Sequence, residues 1–159
     1  AAQTLAWEDQ KATERALSAS ETGRPLSALD GVATALPALM RAEKLQKRAA
    51  RIGFDWPEVS PVWGKISEEM AELKAEIAAG DQDAMAEEMG DLLFSVVNLA
   101  RHLDIDPEAA LRAGNAKFER RFRHLEADLA DQGLDPKDLD ITALEAAWKN
   151  SKTHDNSTD

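Results

Sequence analysis

The sequence contains no cysteine, which excludes disulfides, thiolate metal sites and cysteine nucleophiles. It contains no tyrosine either, and aromatic residues make up only 5% of the chain, whereas leucine, alanine and glutamate are frequent. This composition favours helices over sheets. Because a chain without disulfides is compatible with a reducing compartment, we expect a cytoplasmic protein.

Long apolar runs and an excess of basic charge are also missing. No run approaches the about 18–20 apolar residues that span a bilayer, so we expect no membrane association. The chain carries 30 acidic and 19 basic residues and has a net charge of −11. Such a charge repels a polyphosphate backbone, and we therefore expect no stable nucleic-acid binding.

The chain is long enough for one ordinary domain, with 159 residues of which 43% are hydrophobic and 31% charged. Apolar periodicity, glycine and proline divide it into four main helices and a short C-terminal one, at 34–52, 61–79, 81–103, 107–130 and 141–150. Gly80 ends the second helix, and Asp81 or Asp83 caps the third. We expect an all-α fold, an antiparallel bundle of these helices.

The segments that flank the helices are polar. Residues 1–32 are interpreted as a lead-in or linker because Gly, Pro and Ser interrupt them. Residues 33–152 form the predicted domain, and residues 153–159 are expected to be a disordered tail.

The third helix, "EEMGDLLFSVVNLARHL", carries a narrow polar stripe on an otherwise apolar surface. At about 100° per residue, five polar side chains fall within an arc of roughly 80°; they are Glu88, Asp91, Ser95, Asn98 and His102. Burying them without partners would be costly, so the stripe is expected to face a cleft while the rest of the helix is buried. The alternative is that the stripe is the solvent face of an amphipathic helix.

The second helix supplies acidic partners for this stripe. Its apolar seam is predicted to be Val62, Ile66, Met70, Leu73 and Ile77. Glu69 lies at the edge of that seam and Glu72 on the same flank, so that the pairs Glu69/Glu72 and Glu88/Asp91 can meet across a hairpin. Four converging carboxylates repel one another unless cations lie between them. Ligation by oxygen alone selects hard ions, Mg²⁺ or Mn²⁺ above all.

A di-iron centre is the rival interpretation of a carboxylate-rich bundle. Such centres use Glu-x-x-His, and none of the three histidines has a glutamate three residues before it. The sequence therefore argues against oxygen or redox chemistry.

Basic and aromatic residues in the last two helices are candidates for contacts with phosphate. Lys117 and Arg121 border a predicted core face made of Phe118, Phe122 and Leu125. Guanidinium and ammonium groups suit phosphate oxygens, although basic residues beside a helix seam are often only surface charges. Trp148 and Lys152, four residues apart, can add a stacking surface and a cation. Trp148 can equally be a packing anchor.

These motifs together resemble the MazG family of nucleoside triphosphate pyrophosphohydrolases. The resemblance covers roughly residues 32–152 and is strongest to the C-terminal half of two-domain MazG proteins. It rests on Glu-Glu-x-x-Glu at 68–72, Glu-x-x-Asp at 88–91 and the segments "ALMRAEKLQKRAARIGFDWP", "NAKFERRF" and "LEAAWKNSK".

The resemblance implies an all-α homodimer that cleaves (deoxy)nucleoside triphosphates to the monophosphate and pyrophosphate, with Mg²⁺ or in its place Mn²⁺, in nucleotide-pool housekeeping. It assigns catalysis and metal binding to Glu69, Glu72, Glu88 and Asp91. It assigns substrate binding to Lys117, Arg121, Trp148, Lys152 and Asn98.

Two alternatives remain open at this point. One is a related all-α pyrophosphohydrolase with a narrower substrate such as dUTP, phosphoribosyl-ATP or an oxidised nucleotide. The other is a non-catalytic helical module that binds nucleotide or mediates dimerisation.

Overall fold

A computed structural model describes residues 27–155 of the chain, with side chains up to residue 151. Most of the predicted lead-in, residues 1–26, lies outside the described residues, as do residues 156–159 of the predicted tail. The described residues fall into two compact units, one that ends at Glu108 and one that begins at Ala109.

Five α-helices make up the described chain, which contains no strand between residues 27 and 155. The helices are α1 (Ala38–Arg51), α2 (Ser60–Ala79), α3 (Gln82–His102), α4 (Pro107–Asp131) and α5 (Ile141–Asp155), with a 3₁₀ turn at Pro136–Asp138. The predicted all-α class and all five helices are confirmed, and α5 continues into the first residues of the predicted tail. None of these described helices has the length and hydropathy needed to cross a membrane.

The connection between α2 and α3 is short and well defined. Gly80 ends α2 in the left-handed region, at φ 76°, which glycine adopts without a steric penalty. The Asp81 carboxylate then accepts hydrogen bonds from the backbone N–H groups of Asp83 and Ala84, both at 3.1 Å. This cap satisfies donors that the first turn of α3 would otherwise leave unpaired. The two helices consequently pack against each other as a hairpin.

The hairpin seam in α2 differs from the predicted one. Val62 and Ile66 are buried as expected, but Met70 and Ile77 are 44% and 58% exposed, and Glu69 is buried. Steps of four residues drift around a helix by about 40° each, whereas alternating steps of four and three stay aligned with a neighbouring helix. The seam therefore passes through Glu69, which lies inside it and not at its edge.

The prediction that α3 is buried on nearly every side is wrong for the described chain. Val97 and Ser95 are buried, but Leu93, Phe94 and Val96 are between 42% and 51% exposed. The reason is that α3 contacts α1 and α2 within the first unit, and these two neighbours cover only part of its circumference. Leu93 and Val96, three residues apart, form an exposed apolar strip on α3, whereas Phe94 lies about 100° around the helix from Leu93.

The second unit contains most of α4 and all of α5. Leu125 is buried as predicted, together with Leu129. Phe118 and Phe122, which were expected to face the core, are instead largely exposed, and their rings stack with centroids 5.8 Å apart. Phe118 also contacts the Trp148 ring, at 5.3 Å between centroids. An aromatic cluster thus joins α4 to α5.

Candidate functional site

Three carboxylates from the two arms of the hairpin converge. Glu69 of α2 and Glu88 and Asp91 of α3 each offer a carboxylate oxygen, and these oxygens all lie within 4.8 Å of one another. Glu69 and Asp91 are equally distant from Gly80 along the chain, so an antiparallel hairpin brings them to the same level. We call these three residues the acidic trio.

The fourth predicted ligand, Glu72, is not a member of the acidic trio, but its charge interacts with the charges of Glu69 and Glu88. Partial desolvation raises the pKa of Glu72, and the Glu69 carboxylate raises it further. Partial desolvation likewise raises the pKa of Glu88, and the next largest contribution comes from the charge of Glu72. The four predicted side chains therefore form one mutually repelling group.

Lys65 is a cation beside this group and is not among the residues predicted from the sequence. Its Nζ lies 2.6 Å from a Glu69 oxygen and 2.9 Å from a Glu68 oxygen. Pairing with Glu68, and then with Glu69, raises the pKa of Lys65 above its ordinary range. A lysine three and four residues before two adjacent glutamates is the sequence signal that could have revealed it.

The donor set fits a hard divalent cation. Carboxylate oxygens are the ligands that Mg²⁺ and Mn²⁺ prefer, and thiolate and imidazole ligands are absent from the acidic trio. Two oxygens on opposite sides of Mg²⁺ lie about 4.2 Å apart, since each Mg–O bond is about 2.1 Å. The observed spacing of up to 4.8 Å needs only a small inward movement, and Mg²⁺ ordinarily keeps several waters.

A cleft of about 1120 Å³ opens beside the acidic trio. Glu69 and Asp91 line it, and so do Ser95 and Asn98 of the polar stripe. The expectation that the stripe faces a cleft is therefore confirmed for three of its five members. His102, by contrast, bonds to Asp55, with 3.2 Å between its Nε2 and a carboxylate oxygen.

The remaining wall of the cleft is apolar and partly aromatic. Phe54 and Trp56, from the connector between α1 and α2, line it together with Phe94 of α3. Aromatic faces stack on any nucleobase, so such a wall suits a base whose phosphates lie near the carboxylates. At about 1120 Å³ the cleft is slightly larger than the range of about 300–1,000 Å³ typical of ligand-binding sites, so it has room for a nucleotide.

A hydrogen-bond network ties the connector to α3. The Arg101 guanidinium binds both oxygens of Asp55, at 2.9 and 2.5 Å, and donates to Asn98 Oδ1 from Nε at 3.1 Å and from a terminal nitrogen at 2.7 Å. The Arg101 hydrogen bond holds the pKa of Asp55 below its usual range. With its oxygen held by Arg101, Asn98 has its amide nitrogen left for the cleft. No local sequence pattern indicates a pairing between Asp55 and Arg101.

Comparison with known proteins assigns a domain to the part of the chain that contains the acidic trio. Residues 62–126 match the MazG nucleotide pyrophosphohydrolase domain, a range that includes the whole acidic trio. The chain is 48% identical over 148 residues to a nucleoside triphosphate pyrophosphohydrolase of Escherichia coli strain K12, an alignment that covers 92% of this chain and 54% of that protein. The chain belongs to the MazG family.

Two further relatives of this MazG-family chain come from other bacteria. One is a nucleoside triphosphate pyrophosphohydrolase/pyrophosphatase MazG of Thermotoga maritima, 40% identical over 94% of this chain and 55% of that protein. The other is the uncharacterized protein YabN of Bacillus subtilis, 42% identical over 92% of this chain and 29% of that protein. The chain thus spans about half the length, or less, of the curated relatives that it matches.

The other predicted substrate-binding residues of this MazG-family chain lie in the second unit. Lys117 is exposed and Arg121 half-buried, one helical turn apart on α4. Trp148 packs against Phe118, which supports the interpretation of Trp148 as a packing anchor. The side chain of Lys152 lies outside the described residues. The roles of these four residues in binding stay predictions.

The raised pKa values of Glu72 and Glu88 predict how Mg²⁺ and pH act on stability. A carboxyl with a raised folded-state pKa adds stability below its unfolded pKa, and this stability is lost as pH rises through the folded value. Mg²⁺ should offset the resulting repulsion. We expect Mg²⁺ to raise the Tm more at about pH 7.5 than at about pH 5.5, as measured by differential scanning fluorimetry.

In Glu88→Gln this Mg²⁺-dependent rise should shrink, whereas Glu126→Gln, on exposed α4 surface, should behave like the unmodified chain. Equal Mg²⁺ effects at both pH values would contradict the interpretation of the carboxylates as a cation site.

Proposed function

We propose that this chain hydrolyses (deoxy)nucleoside triphosphates to the nucleoside monophosphate and pyrophosphate in a Mg²⁺-dependent reaction. The observation that carries the proposal is the acidic trio, whose carboxylate oxygens lie within 4.8 Å of one another beside a cleft of nucleotide size. The names of the Escherichia coli and Thermotoga maritima relatives, both nucleoside triphosphate pyrophosphohydrolases, support the same reaction.

In this proposal Glu69, Glu72, Glu88 and Asp91 hold the Mg²⁺, for which Mn²⁺ can substitute. Glu69, Glu88 and Asp91 would ligate directly, and Glu72 would act from beside them, directly or through a water. When bound, the cation would neutralise charge on the triphosphate oxygens.

Removal of a proton from the attacking water falls to a carboxylate that does not ligate the cation fully. The two candidates are Glu68, which is not a proposed ligand, and Glu69, which would ligate through one oxygen only; both pair with Lys65. A water in line with the α-phosphorus would lose its proton to one of them as it attacks. Lys65 would limit the negative charge that builds up around these two side chains.

The substrate contacts follow the chemistry of each side chain. Lys117 and Arg121 would bind phosphate oxygens and steady the pyrophosphate leaving group. Trp148 and Lys152 would contact the nucleotide or its triphosphate, and Asn98 the nucleoside. The aromatic wall of the cleft would accept the base. Because its substrates would be free nucleoside triphosphates, this housekeeping reaction would take place in the cytoplasm.

Product analysis in ¹⁸O-labelled water tests the proposed bond cleavage. With GTP or another common nucleotide and Mg²⁺, the expected products are the monophosphate and pyrophosphate. Attack at the α-phosphorus puts the label in the monophosphate, as measured by mass spectrometry. Label in pyrophosphate would mean attack at the β-phosphorus, and release of orthophosphate with a nucleoside diphosphate would refute the proposal.

Glu88→Gln and Asp91→Asn should each lower kcat by about 100-fold or more while the circular dichroism spectrum stays helical, because each removes a proposed metal ligand. Glu126→Gln is the matched control and should retain full activity. Unfolding of both ligand variants would instead assign these carboxylates a structural role.

We further propose that the chain forms a homodimer, as the family resemblance implies. An interface at α2 and α3 is supported by exposed apolar side chains on both helices, the strip of Leu93 and Val96 on α3 and the residues Trp63 and Ile77 on α2.

Light scattering should give about twice the chain mass of 17.4 kDa. Leu93→Glu should shift the protein toward monomer, and Lys74→Glu, an exposed α2 control with a charge change twice as large, should not. A monomer at tens of micromolar would contradict the dimer.

A further inference from the structure

One side chain of the cleft has a hydrogen-bonding group without a partner. Gln46 of α1 is 7% exposed and lines the cleft that Glu69 and Asp91 also line. Its Nε2 donates to the backbone carbonyl of Phe94 at 2.8 Å. Its Oε1 is buried and accepts no hydrogen bond from the described part of the chain.

The orientation of the Gln46 amide is determined by its neighbour. A backbone carbonyl only accepts hydrogen bonds, so the amide nitrogen has to face the Phe94 oxygen. The flipped amide would bring two oxygens together and lose the 2.8 Å bond. Gln46 is thus held as an acceptor, and a buried acceptor without a donor is unfavourable.

The chemistry of a nucleoside triphosphate indicates which part can supply the missing donor. The ionised phosphate oxygens are acceptors and would repel Oε1 of Gln46. The nucleoside part carries donors, namely the sugar hydroxyls and the N–H groups of the base. Asn98, which lines the same cleft, has its own oxygen occupied by Arg101 and offers the opposite polarity, an amide donor.

We propose that Gln46 is a specificity residue of the nucleotide site, whose Oε1 accepts a hydrogen bond from a sugar hydroxyl or a base N–H of the bound nucleotide. The inference rests on the proposed function, since it needs a nucleoside triphosphate in the cleft. A substrate that lacks the matching donor would leave Oε1 buried and unpaired in the complex. Discrimination would then appear mainly in KM, with the chemical step little changed.

The test combines substrates that each lack one hydrogen-bond donor with protein variants that lack the acceptor, Oε1 of Gln46. The parent substrate is the common nucleoside triphosphate that the chain hydrolyses best. It is compared with forms of the same nucleotide that each lack one donor: the 2′-deoxy form, the 3′-deoxy form and an analogue methylated at a base nitrogen. The protein variants are Gln46→Met, which keeps the side-chain length, and Gln46→Leu as a second apolar replacement. Lys44→Met, an exposed position on α1, is the control.

In the unmodified chain, loss of one donor should lower kcat/KM by about tenfold through KM. In a folded Gln46 variant the same analogue should be hydrolysed about as well as the parent nucleotide, with kcat within about threefold of the unmodified value. Lys44→Met should keep the original discrimination.

Identical analogue ratios in the unmodified chain and in the Gln46 variants would overturn this inference, as would an unmodified enzyme that ignores every donor deletion. Either result leaves the proposed hydrolysis standing. If the unmodified chain hydrolyses no nucleoside triphosphate at all, the proposed function fails, and the role of Gln46 fails with it.

Discussion

Repulsion between carboxylates on facing arms of the α2–α3 hairpin is the constraint on which the site depends. Glu69 occupies a seam position that an apolar residue would ordinarily fill, and it is only 3% exposed. Lys65 compensates part of this charge, yet the pKa values of Glu72 and Glu88 are still raised. A hairpin that tolerates such crowding is poised to gain stability from a cation. The tight turn at Gly80 and Asp81 maintains the register that creates the crowding.

In the proposed function, the cleft would extend this arrangement from the phosphates to the nucleoside. Its acidic end is formed by Glu69 and Asp91, and its apolar wall by aromatic residues of the connector and of α3. Arg101 joins Asp55 of the connector to Asn98 of α3, which positions the wall and orients the amide together. Gln46 retains an unpaired acceptor, a cost of about 1–3 kcal/mol that a fitting ligand would recover. Under the proposed role of Gln46, local stability would be exchanged for binding specificity.

Local chemistry explains which features the sequence predicts. Gly80 and Asp81 mark the hairpin turn because the left-handed conformation and the capping carboxylate are properties of single residues. The predicted seam of α2 is wrong because Glu69 is less apolar than Met70, and only the neighbouring helix decides which of the two is buried. The Gln46–Phe94 and Asp55–Arg101 contacts join residues 48 and 46 positions apart. No periodicity within one helix encodes such pairings.

Cation binding by the nucleotide-free chain tests the central claim most directly, because it needs neither turnover nor substrate. Mn²⁺ titration monitored by electron paramagnetic resonance should show saturable binding that Mg²⁺ displaces. Glu69→Gln, which keeps the size of the side chain, should abolish this binding in a folded protein. Mn²⁺ binding that is absent from the unmodified chain, or unchanged in Glu69→Gln, would contradict a cation site between the two arms of the hairpin.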